Sequence, residues 1–327
     1  MSNKSVRNPQ SPYYTYRQFM IDRYGVQLQR IPIDLAFGCP NRTDTGDGGC
    51  SFCALDGGRA IQTRRANHWH EQIETAIIFA SERYDAENYM GYCQAYSGSF
   101  ASHEKQRDIF RKILAHTTFK AFSIGTRPDC LSQETIELYR ELAKQTDLWI
   151  ELGIQTTNDV TLKHINRGHN KACSIDAIKR LHDANIKCAV HLIFGLPGET
   201  DADYHNTAQE IAELPISGIK FHNLHIIKNT QLTKQYLANP FPLLDEHDYA
   251  EAVIDAIRMM PPQIPIMRLQ TDTPSESLIA PRWIMKKGQF IDYVTLQMKK
   301  RGLRQGDARS PAAPTPLDHD HSDLSVL

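Results

Sequence analysis

The chain carries no surplus of either charge: 37 lysines and arginines stand against 38 aspartates and glutamates over 327 residues. A balance this even excludes the strongly basic footprint of a dedicated nucleic-acid binder and leaves room only for a local patch. Long hydrophobic runs are also missing. No window approaches the ~18 consecutive apolar residues of a membrane span, and Met1 to Gln10 is polar, without the apolar run of a signal peptide. Seven cysteines, an odd number scattered along the chain, do not make the paired framework of a small secreted domain. A reducing cytoplasm is therefore the expected setting. No segment recurs at a fixed period, which excludes a solenoid. A chain of this length can bury a sizeable core without cross-links.

One stretch is dense in chemistry. A short apolar strand, Ile31 to Phe37, runs into a loop carrying Cys39, Cys50 and Cys53, with Phe52 directly before the last cysteine. Three thiolates with no fourth nearby do not complete a closed tetrahedral zinc site. They suit an iron–sulfur cluster that keeps one iron free of protein ligands, since thiolates favour such clusters as well as zinc. Gly46, Gly48 and Gly49 allow the loop to fold tightly, bringing backbone amides toward the sulfurs. On spacing alone cluster, zinc and unligated thiols all remain open.

From residue 31 onward strand and helix patterns alternate. Short apolar segments at 31–37, 89–96, 119–125, 148–154, 187–195 and 218–227 read as strands. Helical patterns fall at 69–84, 103–116, from a Ser132 cap to Lys144, and at 158–166, 174–184 and 201–213. Repeated βα units imply a parallel sheet, and six of them can curl into a partial barrel. In such folds the working residues sit at strand ends. Here the strand ends carry the cysteine loop, Gln94 to Gly98, Gly125 to Asp129, Gly153 to Gln155 and Gly195 to Glu199. Residues 1–30, polar with interleaved tyrosines, are expected to be an N-terminal extension packing on the barrel; the other reading has Tyr13, Tyr14, Tyr16 and Tyr24 with Arg17 and Arg23 stacking on nucleic acid. Residues 31–230 form the core. Residues 231–303, with helices near 231–238, 246–260 and 282–300 and a strand around 264–269, are expected to pack on it. The tail 304–327, rich in proline and small residues and closing on His319 and His321 among aspartates, is expected to be disordered.

The cysteine loop, Ile124 to Asp129, Glu151 to Gln155, Ile165 to His169 and His191 to Glu199 together resemble radical S-adenosylmethionine (SAM) proteins, more narrowly the YhcC/YtqA-like family. A wider likeness runs to the radical SAM core of the Elongator catalytic subunit and to oxygen-independent coproporphyrinogen oxidase. The resemblance spans about residues 15–300. It implies an α/β fold, a partial TIM-type (β/α)6 barrel with N- and C-terminal extensions. It implies a [4Fe-4S] cluster on Cys39, Cys50 and Cys53, with SAM on the fourth iron, cleaved reductively to a 5′-deoxyadenosyl radical that abstracts hydrogen from a substrate. Phe52 is then the adenine-packing aromatic, and Gln94, Ala95, Tyr96 and Ser97 form the segment meeting the SAM amino group. Relatives often place a glutamate three residues before the proline that follows strand three, where this chain has Gly125, and Glu151 is a candidate for that contact. Gln155 and Arg167 match a SAM-contacting pair, His191 falls near the ribose, and Gly195 to Gly198 becomes an adenine-side loop. The implied partners are a tRNA or small-molecule substrate and a reductant such as flavodoxin or ferredoxin, with no membrane.

Plainer roles stand beside these. Glu151, between Ile150 and Leu152, could instead pair structurally with Arg127, and Arg127 with Asp129 could merely shape a loop. Cys93, Cys130, Cys173 and Cys188 lack paired spacing and read as small buried hydrophobes. His68, His70, His222 and His225 are expected to line surfaces or the substrate cavity. The rival class for the whole chain is a non-catalytic zinc- or Fe-S-binding module, a redox sensor or an RNA-binding protein.

Overall fold

Strand segments of the kind Ala121-Phe-Ser-Ile124 have no polar face to give to water, so a sheet built from them must be covered on both sides. A computed structural model describes residues 11–309 apart from 44–46, 61–62, 64–65 and 67. In it the strands are β1 (Gln29–Ile33), β2 (Tyr89–Cys93), β3 (Ala121–Thr126), β4 (Asp147–Gln155), β5 (Lys187–Phe194), β6 (Gly218–Asn223), β7 (Ile226–Ile227), β8 (Ile266–Arg268) and β9 (Leu278–Ala280). Seven form one parallel sheet in the order β1-β2-β3-β4-β5-β6-β8, curled into a half-barrel; β7 and β9 pair antiparallel beside it. The expected α/β partial barrel is present, with a seventh strand drawn from beyond residue 230.

Helices α1 (Tyr16–Tyr24), α2 (Trp69–Tyr84), α3 (His103–His116), α4 (Gln133–Leu142), α5 (Asp159–His164), α6 (Lys171–Asp183), α7 (Asp201–Ala212), α8 (Gln231–Ala238), α9 (Glu246–Met259) and α10 (Lys287–Lys300) complete the chain. The anticipated apolar faces are buried: Ile73, Ala76 and Ala80 on α2, Phe110 and Ile113 on α3, Ile136, Tyr139 and Leu142 on α4. Ser132 caps α4, its Oγ accepting from the Thr135 amide at 3.2 Å.

Four expectations shift. The first strand ends at Ile33, not Phe37, because Asp34 Oδ1 accepts from the Ala36 amide and turns the chain, with Ala36 at φ +53°. Leu35 and Phe37 are still buried, but from a loop. The segment 218–227 breaks into β6 and β7, and the helix anticipated over 282–300 starts at Lys287. The tail is not disordered at its start. Gln305 donates to the carbonyls of Pro261 (2.7 Å) and Ile264 (2.8 Å) and accepts from the Tyr14 amide (2.8 Å). The rest of that tail, His319 and His321 included, lies outside the described residues, as does Gly46.

The N-terminal segment closes the floor of the barrel. Phe19 meets Trp149 edge-on at 5.4 Å, and Met20, Leu28, Met90, Ala121, Ala189 and Met267 complete an apolar plug. Arg23 grips Asp147 with Nε and Nη2 (2.5 and 2.7 Å), and Lys187 joins at 2.7 Å. Burial alone would raise the Asp147 pKa, but these cations hold it below the usual carboxylate range. Tyr16, Arg23 and Tyr24 thus have partners within the protein.

Candidate functional site

Parallel βα units carry every strand end to one rim. There the cysteine loop is tied down by its own backbone and by the segment after α5. Cys53 N donates to Cys50 O (3.0 Å), Gly49 N to Asn41 O (2.6 Å) and Ser51 N to Ile165 O (2.9 Å). Asn166 Nδ2 reaches Gly49 O at 2.8 Å, and Asn41 Nδ2 reaches Asn166 O at 2.5 Å. Gly49 sits at φ +89°, and a Cβ there would lie 3.0 Å from the Arg42 guanidinium. Cys39, Cys50 and Cys53 line one cavity of about 940 Å³, and none is in a disulfide.

Cys50 is the most strongly polarised of the three. Arg167 Nη1 lies 3.3 Å, Asn41 Nδ2 3.6 Å and Arg127 Nη1 3.7 Å from its sulfur. Burial favours the thiol, yet Arg167 and Arg127 outweigh it and lower the pKa. Burial and the Cys50 charge raise the Cys53 thiol. Among the described residues no three His, Cys, Asp or Glu side chains converge on a single ion. A cuboidal cluster presents its irons at separate corners and so accepts thiolates held apart. The donor set is wholly soft sulfur, and the flanking guanidiniums offset its negative charge, so these residues fit an iron–sulfur cluster.

Arg127 does not pair with Glu151. Its Nε and Nη2 clasp Asp129 at 2.9 and 2.8 Å, and Nη2 also donates to the Arg167 carbonyl at 2.6 Å. The pair therefore shapes a loop and braces the neighbour of Cys50 at once. Arg167 Nη2 donates to Gly153 O at 2.5 Å. A Cβ on Gly153 would meet both Gln155 Nε2 (2.8 Å) and Arg167 Nη2 (2.9 Å), so the two side chains expected to act together converge over that glycine. His169 is packed beside them, its pKa pushed down to about 4 by burial and Arg167.

Phe52, Gln94, Ala95 and Tyr96 line the same cavity; Ser97 does not. It is buried beneath, its Oγ bonded to Thr126 Oγ1 at 2.8 Å. Ala95 (φ +111°), Tyr96 (φ +50°) and Gln155 (φ +78°) hold positive φ, costly conformations for non-glycine residues that cluster at active sites and ligand clamps. The loop Gly195 to Gly198 is also absent from the lining; Leu196 instead packs with Leu162, Ile165 and Leu224 against Phe52. It supports the aromatic from behind.

Deeper in the barrel the wall is polar. Glu151, 2 % exposed, receives Tyr92 OH (2.8 Å), His191 Nε2 (2.9 Å) and the Lys220 ammonium on its Oε2, while Oε1 has no partner among the described residues. Burial would raise its pKa, but Lys220 and His191 hold it well below the carboxylate range. Burial and the neighbouring cations Arg30 and Arg268 push Lys220 down, against the pull of Glu151. His191 falls to about 4, mainly by burial. His222 stacks on His191 at 5.3 Å and is likewise lowered well below its ordinary value by burial and Arg268. Tyr92, Arg30, Lys220 and Arg268 were not anticipated. The signal was there: charged or hydroxylated residues interrupt otherwise apolar strands at positions facing the barrel axis.

His225 also lines the cavity, with Asn223 Nδ2 donating to its Nε2 (2.6 Å) and Thr273 at its Nδ1 (2.7 Å). His68 and His70 stack on each other at 5.6 Å, away from the cavity lining. Cys93 and Cys188 are buried as expected, whereas Cys130 and Cys173 are only partly so.

Residues 35–211 match the Radical SAM superfamily model and residues 216–300 match the Radical_SAM C-terminal domain. The chain is 32% identical over 300 residues to YtqA of Bacillus subtilis, covering 91% of this chain and 93% of that one. It is 32% identical over 288 residues to YhcC of Escherichia coli, covering 88% and 92%. Among solved structures, Elp3 of Methanocaldococcus infernus superposes with a TM-score of 0.67 at 20% identity, over 85% of this chain and 64% of that one. That likeness concerns the fold, and the chain spans less than two thirds of the Elp3 structure.

Proposed function

Because the chain belongs to the Radical SAM superfamily, we propose that it is an enzyme that holds a [4Fe-4S] cluster on Cys39, Cys50 and Cys53 and binds SAM beside it. When bound, cluster and SAM supply a 5′-deoxyadenosyl radical, made with one electron from a reductant such as flavodoxin or ferredoxin, that takes a hydrogen atom from the substrate. The chain's own residues do the rest. Arg167 and Arg127 keep Cys50 as thiolate and offset the charge of the sulfur ligands. Phe52 offers an aromatic face to the adenine, and Gln94, Ala95 and Tyr96 offer backbone polar groups to the amino end of SAM. Gln155 and Arg167 meet its carboxylate or ribose oxygens. His191 lies at the boundary between this region and the Glu151 wall, its Nε2 held by the carboxylate. The observation that carries the reading is the convergence of all three cysteines and the Gln155–Arg167 pair on one cavity.

Anaerobic reconstitution tests it. About four iron and four sulfide per chain are expected, with 5′-deoxyadenosine formed from SAM after dithionite reduction. Cys50→Ala is expected to lose both. One zinc per chain without sulfide, or cleavage that survives in the Cys50 variant, would sink the proposal. A tRNA substrate is the second reading, suggested by the Elongator-type fold, which by itself names no substrate.

A further inference from the structure

The inner wall of the cavity is short of negative charge. Three cations cluster there, Arg268 from β8 in the lining itself and, behind it, Arg30 from β1 and Lys220 from β6, against one carboxylate, Glu151. Two of the cations are accommodated. Lys220 is ion-paired with Glu151, and the Arg30 guanidinium lies 5.2 and 5.3 Å from the ring centres of Tyr16 and Tyr92. Arg268 is not. Its Nη2 meets neutral His222 at Nε2, its Nε has no acceptor, and among the described residues no carboxylate stands within ion-pair distance of it. Burial and the charge of Arg30 lower its pKa, whereas that of Arg30 is raised. Whether or not Lys220 carries its proton, the wall keeps a positive excess. Arg268 is half-buried, and a partly desolvated charge without a counter-ion is stabilised when an anion enters the cavity it lines.

Arg268 lines the cavity on the opposite edge strand of the sheet from the cysteine loop. We propose that Arg268 is the anchor for an anionic group, carboxylate or phosphate, on a small-molecule substrate whose body extends along the cavity toward the cysteines. The fork of a guanidinium is the side chain best matched to either anion. A nucleobase inserted into the cavity would bring no negative charge to this wall. Its phosphates would remain at the mouth, where the exposed lining includes Asp272 and Glu276 beside Lys228. The inference therefore favours a small acid over tRNA. It rests on the radical SAM reading for the chemistry but not for the binding.

The test is a titration of the full chain, as isolated and after cluster reconstitution, with sodium phosphate and separately with sodium succinate. Ionic strength is held constant with potassium chloride, and the readouts are Tm and calorimetric affinity. Saturable stabilisation by one anion beyond chloride is expected; phosphate identifies a phosphorylated substrate, succinate a carboxylic acid. Arg268→Gln should raise the half-saturating concentration about tenfold or more, the scale of a lost charge-assisted contact. Should that variant fail to fold, Arg268→Lys, which keeps the charge without the fork, is expected to weaken half-saturation severalfold. No saturable shift in the parent, an unchanged half-saturation in the variants, or stabilisation by a short oligoribonucleotide alone would each overturn the proposal. Failure to load iron would instead count against the radical SAM reading, and the as-isolated titration would still be readable.

Discussion

At the scale of single residues, the decisive group is Glu151, whose carboxylate gathers Tyr92, His191 and Lys220 on one oxygen. Glu151→Gln leaves Lys220 buried without its counter-charge, and breaking a buried pair from one side costs about 3–5 kcal/mol. Chemical denaturation should show that loss. The double variant Glu151→Gln with Lys220→Met should recover much of it; no recovery would mean that the pair is not the main partner of either group. The pH dependence follows from the same wall. The folded pKa of Glu151 is depressed, so its contribution is full above the unfolded value of 4.5 and fades as pH falls from there. His191 is held neutral, its pKa about 4 against 6.5 unfolded, so protons bind the unfolded chain more readily between those values. Stability should therefore fall as pH drops from 6.5 toward 4, and His191→Gln should remove up to about 3 kcal/mol of that fall. An unaltered slope in this variant would show that His191 is not what couples protons to folding.

At the scale of elements, the strand-end loops hold the site rigid through backbone conformations that ordinary residues avoid. Gly49 is one case, with φ +89° and Arg42 at 3.0 Å from where a Cβ would be. Gly49→Ala should strain the loop by about 1–3 kcal/mol and lower iron retention after reconstitution, while the circular dichroism of the barrel is unchanged. Full iron content in that variant would show that the loop tolerates the shift. The elements themselves were largely legible. Helix α2 and helix α3 match their expected limits because their apolar spacing is helical throughout, and Ser102 caps α3 through the Lys105 amide. β1 was misjudged past Ile33, because Leu35 and Phe37 bury their side chains whether they lie in a strand or a loop, and hydrophobicity does not distinguish the two.

At the scale of the whole molecule, the two ends of the described chain are knitted together. Gln305 spans the Pro261 and Ile264 carbonyls and the Tyr14 amide, and its own amide donates to Pro12 O at 2.9 Å. Gln305→Ala would orphan buried groups at about 1–3 kcal/mol each. A Tm drop with the sheet retained is expected, and an unchanged Tm would show that solvent satisfies those groups. This contact and the pairing of β8 with β6 make the segment after residue 230 continuous with the barrel.

By itself the amino-acid sequence determined the alternation of strands and helices, the three-cysteine loop, the Gln155–Arg167 pair and the family to which they point. These are local signals, carried by spacing within one segment or by motifs in order along the chain. Only the tertiary structure decided that Glu151 pairs with Lys220 and not Arg127, that Ser97 and the Gly195 loop stand behind the site, and that Arg268 has no counter-ion among the described residues. Those facts depend on lateral register between strands, from β4 across β5 to β6 for Glu151 and Lys220, and on which side chains face the barrel axis. Partners separated by 69 residues, as Glu151 and Lys220 are, leave no mark on each other's neighbourhood in the chain. Electrostatic pairing acts through space, and only folding sets those distances.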